Sequence, residues 1–260
     1  MIQKYVGTIG NFPYDDTEFQ INEEGHLKYI GSERDGRNID VPVGLIDATE
    51  LFENVGLTHA ANMPDTVIKM DRCYNGCSDM VDGGKIPPQA ESINSAYAHT
   101  AIQVTPFMPD SVTDAGFAFD HCLNLEKCGN FSKRLKNADC MFAGDENLVE
   151  LPEELPAELD SMDGFACNCT NLRVPPKTSK SVRNMNNAYA SCLNLEVAPE
   201  IPEGASSENV TTDCYTLENP GAFGDAEKTA AKPFNREVAT AEATSGIEVN
   251  NQEHDVLGLE

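Results

Sequence analysis

Residues 108–125 read M-P-D-S-V-T-D-A-G-F-A-F-D-H-C-L-N-L, and residues 181–195 read S-V-R-N-M-N-N-A-Y-A-S-C-L-N-L. Both close on C-L-N-L. Related closing strings recur as D-E-N-L at 145–148 and C-T-N-L at 169–172. Their last residues, Leu125, Leu148, Leu172 and Leu195, are spaced by 23, 24 and 23 residues. A fixed period of about 20–29 residues means that one structural unit is repeated along a coil.

The rest of the unit aligns on that closing Leu. Thirteen residues before it stand Val112, Leu135, Leu159 and Val182. Three residues further on come Ala115, Ala138, Met162 and Met185, and seven on come Phe119, Phe142, Ala166 and Tyr189. Ten on come Cys122, Asp145, Cys169 and Cys192. Towards the N-terminus Val67, Met70, Tyr74, Cys77 and Met80 fit without a gap. Ala90, Ile93, Tyr97 and Ile102 fit with one deletion, as do Leu45, Ala48, Phe52 and Leu57. Forward, Val210 and Leu217 start a final unit after an insertion near Ala205 to Asn209. The pattern covers residues 41–223.

One such unit cannot bury its own apolar face, so stacked neighbours must supply the core. The spacing therefore predicts a β-rich solenoid of leucine-rich repeats, each 22–24 residues long. Its rungs should lie about 4.8 Å apart, in parallel, with strands of about three to five residues. The strand candidates lie near Val67, Val112 and Val182 and near Leu125, Leu172 and Leu195.

The strings at 108–125 and 181–195 resemble BspA-like leucine-rich repeats, the second in the lipoprotein-type variant with Asn184-Met185 shortly after the first apolar residue. The resemblance implies a non-enzymatic scaffold of the kind found in bacterial surface adhesins and phage-encoded proteins.

The ends differ from the repeat. In residues 1–40, T-E-F-Q-I and H-L-K-Y-I flank N-E-E-G, a hairpin signal with Gly25 free to take a positive φ. Phe19, Ile21, Leu27 and Tyr29 would cap the first coil. Tyr5, Val6 and Ile9 suggest a further short strand. Residues 224–260 form a C-terminal extension that docks or stays flexible, with a short helix expected over 225–232. Val256, Leu257 and Leu259 are its candidate partner-docking residues.

Lys plus Arg total 18 and Asp plus Glu total 43, a net charge of −25. Such a surface repels phosphate backbones and anionic headgroups, which argues against nucleic acid and membrane as partners. The N-terminal residues carry no secretory signal pattern, and no stretch has the ~20 apolar residues of a membrane span. The expectation is synthesis in a reducing cytoplasm, then residence in a virion or other extracellular assembly; the alternative is a cytoplasmic protein.

Cys77, Cys122, Cys169 and Cys192 share one repeat position, which favours a ladder of buried thiols. The local pairs Cys167–Cys169 and Cys73–Cys77 have C-x-C and C-x-x-x-C spacing, unlike the usual C-x-x-C zinc pair. A disulfide and a metal site stand as alternatives. His99 and His121 occupy equivalent turn positions and should stack roughly 5 Å apart, a geometry open to a metal or a pH-sensitive pair. The same position elsewhere holds Asn54, Gly76 and Ser191, so a solvated turn is favoured. Glu150, Glu153, Glu154 and Glu158 cluster in one spacer, and Asp79, Asp82 and Gly83–Gly84 form part of a calcium-like loop. No phosphate loop, nucleophile elbow or H-E-x-x-H occurs in the sequence. No cofactor, metal or catalytic residue is expected. Two functions fit: a structural or protein-binding scaffold, either a virion surface component contacting capsid or tail proteins or an adhesion module contacting a host receptor; or a carbohydrate-binding or hydrolytic β-solenoid using surface carboxylates.

Overall fold

The computed structural model describes residues 18–214 and 216–217. The expected strand at Tyr5, Val6 and Ile9, the expected helix over 225–232 and the docking residues Val256, Leu257 and Leu259 lie outside them.

The chain opens with a hairpin. Strand β1 (Phe19–Ile21) pairs antiparallel with β2 (Leu27–Tyr29), Phe19 opposite Tyr29. Gly25 takes φ 89° in the connecting turn, and Asn22 Oδ1 accepts from the N–H groups of Glu24 and His26. A single 3₁₀ turn, Gly36–Asn38, follows, with Asp35 as its N-cap.

Beyond it the turns stack. Parallel bridges link Asp47, Lys69, Ser92, Asp114, Asn137, Ser161, Asn184 and Ser206 in one ladder. A second ladder runs Asp35–His59–Asp82, then Val104–Lys127–Glu150, then Glu154–Lys177. Each step joins residues one repeat apart, an arrangement compatible with the expected solenoid. The described residues contain no α-helix.

The strands expected near Val67, Val112 and Val182 and near Leu125, Leu172 and Leu195 are not three to five residues long; outside the hairpin the pairing shrinks to single-residue bridges. The reason is local. After each bridge of the first ladder the backbone runs through consecutive turns. Leu51, Glu53 and Val55 donate to the carbonyls three residues back, Ala48, Glu50 and Phe52. Two residues per turn, four apart, sit in the left-handed region: Glu50 and Asn54 (both φ 58°), Ser95 and His99, Phe117 and His121. A chain that turns this often cannot stay extended. It still satisfies its donors. Ala48, Glu50, Phe52 and Asn54 donate to Lys69, Asp71, Cys73 and Asn75 of the next turn, each at 2.8 Å.

The core is built from the repeat positions. The closing residues from Leu57 and Met80 to Leu195 are fully buried, as are Val67, Val112, Leu135, Leu159 and Val182. An aromatic column runs from the hairpin to the turn before the last: Phe19, Tyr29, Phe52, Tyr74, Tyr97, Phe119, Phe142, Phe165 and Tyr189, with neighbouring centroids 5.3–6.1 Å apart. Two details correct the alignment. In the turn where Ala166 stands at the aromatic position, the adjacent Phe165 supplies the ring. The last unit has no insertion. Asn184 bridges Ser206 and Tyr189 donates to the Val210 carbonyl, so the period continues, and Leu217 falls in the closing column rather than near the start. The apolar residue that opens other units is replaced there by Gly204, which hid the register.

Candidate binding surface

The closing Leu of each unit turns the chain outward, and the residues just after it face solvent. Val81, Val104, Val149, Val174 and Val197 occupy these places, each 50–58% exposed. The second ladder holds this edge in register, Val104 bridging Lys127 and Lys127 bridging Glu150. Charges interleave with the valines. Lys127 pairs with Glu150, Arg173 with Glu196 at 2.9 Å, and Lys177 with Glu154 at 3.4 Å. Beside them Leu123 and Leu193 are exposed, and the asparagines before the closing Leu link successive turns. Asn147 Nδ2 donates to the Leu123 carbonyl at 2.7 Å and Asn194 Nδ2 to that of Thr170 at 2.9 Å. Aliphatic side chains set among ion pairs and amides on a regular frame make a surface suited to protein contact.

The spacer carboxylates are thus divided. Glu150 and Glu154 pair with lysines of neighbouring turns rather than with each other. Asp82 Oδ1 accepts from the Gly84 N–H, which makes the Asp82–Gly84 stretch a tight turn.

His99 and His121 stack on adjacent turns with ring centroids 5.3 Å apart. Asp120, not singled out in the sequence, lies between them. Its Oδ2 is 2.9 Å from His121 Nδ1 and 3.9 Å from His99 Nε2. Both rings are more than half exposed, so the pair sits in water.

Cys77, Cys122, Cys169 and Cys192 are buried in one column, and Cys214 extends it. Each thiol does the same work. Cys77 Sγ donates to the Phe52 carbonyl, Cys122 to Tyr97, Cys169 to Phe142, Cys192 to Ala166 and Cys214 to Tyr189, all at 3.0–3.1 Å. A small side chain with one weak donor meets the preceding turn's carbonyl. Burial pushes the Cys122 and Cys128 thiols up to about 12. Thr100 takes the column's place in its turn and donates to Tyr97 O at 2.8 Å.

Asp145 also stands in this column and was missed as a special residue. It is fully buried; Oδ1 accepts from the Cys122 N–H at 2.7 Å, while Oδ2 has no partner. Burial drives its carboxyl far above the usual carboxylate range, and the nearby Asp120 charge adds to the rise.

Among the described residues one group, Glu24, His26 and Glu50, brings metal-type donor atoms within 4.8 Å of one another. A lysine already serves it. Lys28 Nζ is 3.0 Å from Glu50 Oε2 and 3.2 Å from Glu53, and Arg72 pairs with Glu53. Burial would raise Glu50, but the Lys28 hydrogen bond and charge and Arg72 hold its carboxyl below the usual range. This network clamps the hairpin to the first two turns. No helix among the described residues is long and apolar enough to cross a membrane.

No family model and no curated protein matches the chain. Solved structures do. A leucine-rich repeat protein from Bacteroides ovatus, 18% identical, covers 78% of this chain and 70% of its own, with a TM-score of 0.51. One from Eubacterium ventriosum, 12% identical, covers 81% of this chain and 53% of its own, with a TM-score of 0.50. The fold is that of bacterial leucine-rich repeat proteins. At these identities the likeness concerns the fold alone. Within that fold, the valine edge is a surface that sequence reasoning missed. Its signal was present: a Val one or two residues after most closing residues.

Proposed function

We propose that the chain is a non-enzymatic, protein-binding scaffold, and that it works as a virion surface or decoration component or as an adhesion module. One observation carries this: exposed valines stand just after the closing residue in five of the stacked turns. An edge of this kind offers several apolar contacts to a partner along the stack. The polar groups, by contrast, are dispersed into ion pairs between turns, which weighs against the hydrolytic alternative. The binding setting would be extracellular, after cytoplasmic synthesis. Val256, Leu257 and Leu259 are proposed as secondary anchors on the same partner.

The test is recovery of partners from the native source by cross-linking to the tagged chain. A capsid or tail protein supports the virion role, and a host surface receptor supports adhesion. Val104→Ser with Val149→Ser and Val174→Ser should lose the partner while melting as the parent does. Retention by that triple variant overturns the valine edge as the site. Turnover of a glycan that a single Glu→Gln change abolishes overturns the scaffold reading itself.

A further inference from the structure

Beyond each bridge of the first ladder, the backbone hydrogen bonds between turns share one direction. At each of seven junctions in the first ladder, four N–H groups donate to carbonyls of the turn that follows. From Met185, Asn187, Tyr189 and Ser191 they run to Ser206, Glu208, Val210 and Thr212. Only at the bridges does a smaller set run in reverse, as where Ile68 and Lys69 donate to Ile46 O and Ser206 donates to Arg183 O. Along these arcs the stack therefore ends on carbonyls at its N-terminal face and on N–H donors at its C-terminal face.

The two ends are treated differently. The N-terminal face is covered by the hairpin. Tyr29 N–H donates to Leu51 O and Lys28 Nζ to Glu50 O, both at 2.8 Å, and the Tyr29 ring lies 5.4 Å from that of Phe52. At the C-terminal face, the N–H groups of Ser207, Asn209 and Thr211 occupy the donor positions and find no acceptor among the described residues. Asn209 is exposed and held at φ 55°. The aromatic column has also ended, because Thr211 takes the place of the ring.

We propose that this donor row is a docking site for an extended backbone segment that presents carbonyl oxygens, and that its occupant is residues 218–234 of the same chain. Hydrogen-bond polarity rejects a second copy. Two C-terminal faces would oppose donor to donor, and the N-terminal face of another copy already carries its hairpin. The chain itself continues from this end at Leu217, and Phe223 is its first aromatic side chain beyond, available to extend the column over Thr211. A row of unpaired backbone donors is the usual template for an added strand.

The experiment is amide hydrogen exchange, resolved by residue, on the full chain and on a full-length variant with residues 218–234 replaced by a Gly/Ser stretch of equal length. In the parent, the Ser207, Asn209 and Thr211 amides should exchange at least about tenfold more slowly than those of exposed turns. That protection should survive roughly 100-fold dilution and vanish in the variant. Fast exchange in the parent shows an open edge and overturns the proposal. Protection that disappears on dilution assigns the face to another copy, and protection that persists in the variant assigns it to a different segment; either result overturns the occupant named here.

Discussion

Asp145 shows how one side chain can depart from a column without breaking it. Where other turns place a thiol that donates to the preceding carbonyl, this one places a carboxyl that accepts from Cys122 and leaves Oδ2 bare. An ionised carboxylate there would be unpaired and fully desolvated. Its folded-state pKa is raised, so its contribution to stability is complete below the ordinary range near about 4 and is lost as pH rises through the raised value. Asp145→Cys restores a group that stays protonated to high pH. It should leave the melting temperature nearly unchanged at pH 4 and stabilise by about 2 kcal/mol at pH 8, roughly 4–8 °C. Thermal melts across that range decide it; destabilisation at every pH would mean that Oδ2 has a partner. The remaining column predicts a reactivity order. Cys140, Cys167 and Cys214 are partly exposed, whereas Cys73, Cys77, Cys122, Cys128, Cys169 and Cys192 are buried. Alkylation at pH 8 mapped by mass should label the first set slowly, since the Cys140 thiol is pushed up to about 11, and the second only after unfolding.

At the scale of elements, the repeat is held by turns rather than strands, and junctions between elements are tight. Gly36, in the 3₁₀ turn that links hairpin to stack, is buried and donates to the His59 carbonyl at 3.1 Å. A Cβ there would lie 2.2 Å from that carbonyl oxygen and 2.6 Å from the Ala61 nitrogen, both backbone atoms. Gly36→Ala must therefore push the two segments apart, at a cost of about 1–3 kcal/mol. Faster amide exchange confined to the hairpin and the first two turns should accompany the lower melting temperature. Exchange rates unchanged there would show that the junction yields without loss. The sequence named the hairpin by its N-E-E-G loop, because turn chemistry is local. It could not show this approach of two backbones, since His59 is 23 residues away and carries no matching signal.

For the whole molecule, charge is the dominant long-range term. The ion pairs found clamp local junctions, but 43 acids against 18 bases leave a net charge of −25. Self-repulsion of that size opposes the compact state and is screened by salt. The melting temperature should rise between about 10 mM and about 0.5 M NaCl, where the screening length falls from roughly 30 Å to a few ångströms. A fall instead would show that the network of Lys28, Glu50, Glu53 and Arg72 outweighs the net repulsion.

The period, the buried columns and the stacking of equivalent residues were all written in the amino-acid order. A repeat makes each position report several times over, and apolar residues at a fixed spacing have only one way to be buried together. The histidine pair was legible for the same reason: His99 and His121 share a repeat position, so their 5.3 Å separation follows from stacking. What tertiary structure alone decided lies where neighbouring turns meet. Phe165 rather than residue 166 fills the aromatic column because packing selects a ring that reaches the axis, not a position in an alignment. Asp120 falls between two imidazoles, and the carboxyl of Asp145 is stranded, because the partners come from other turns. The common polarity of the backbone hydrogen bonds has no trace in side-chain order. It arises when alternate residues of the arc after each bridge aim their N–H groups at the turn that follows, and it makes the two ends of that arc chemically different.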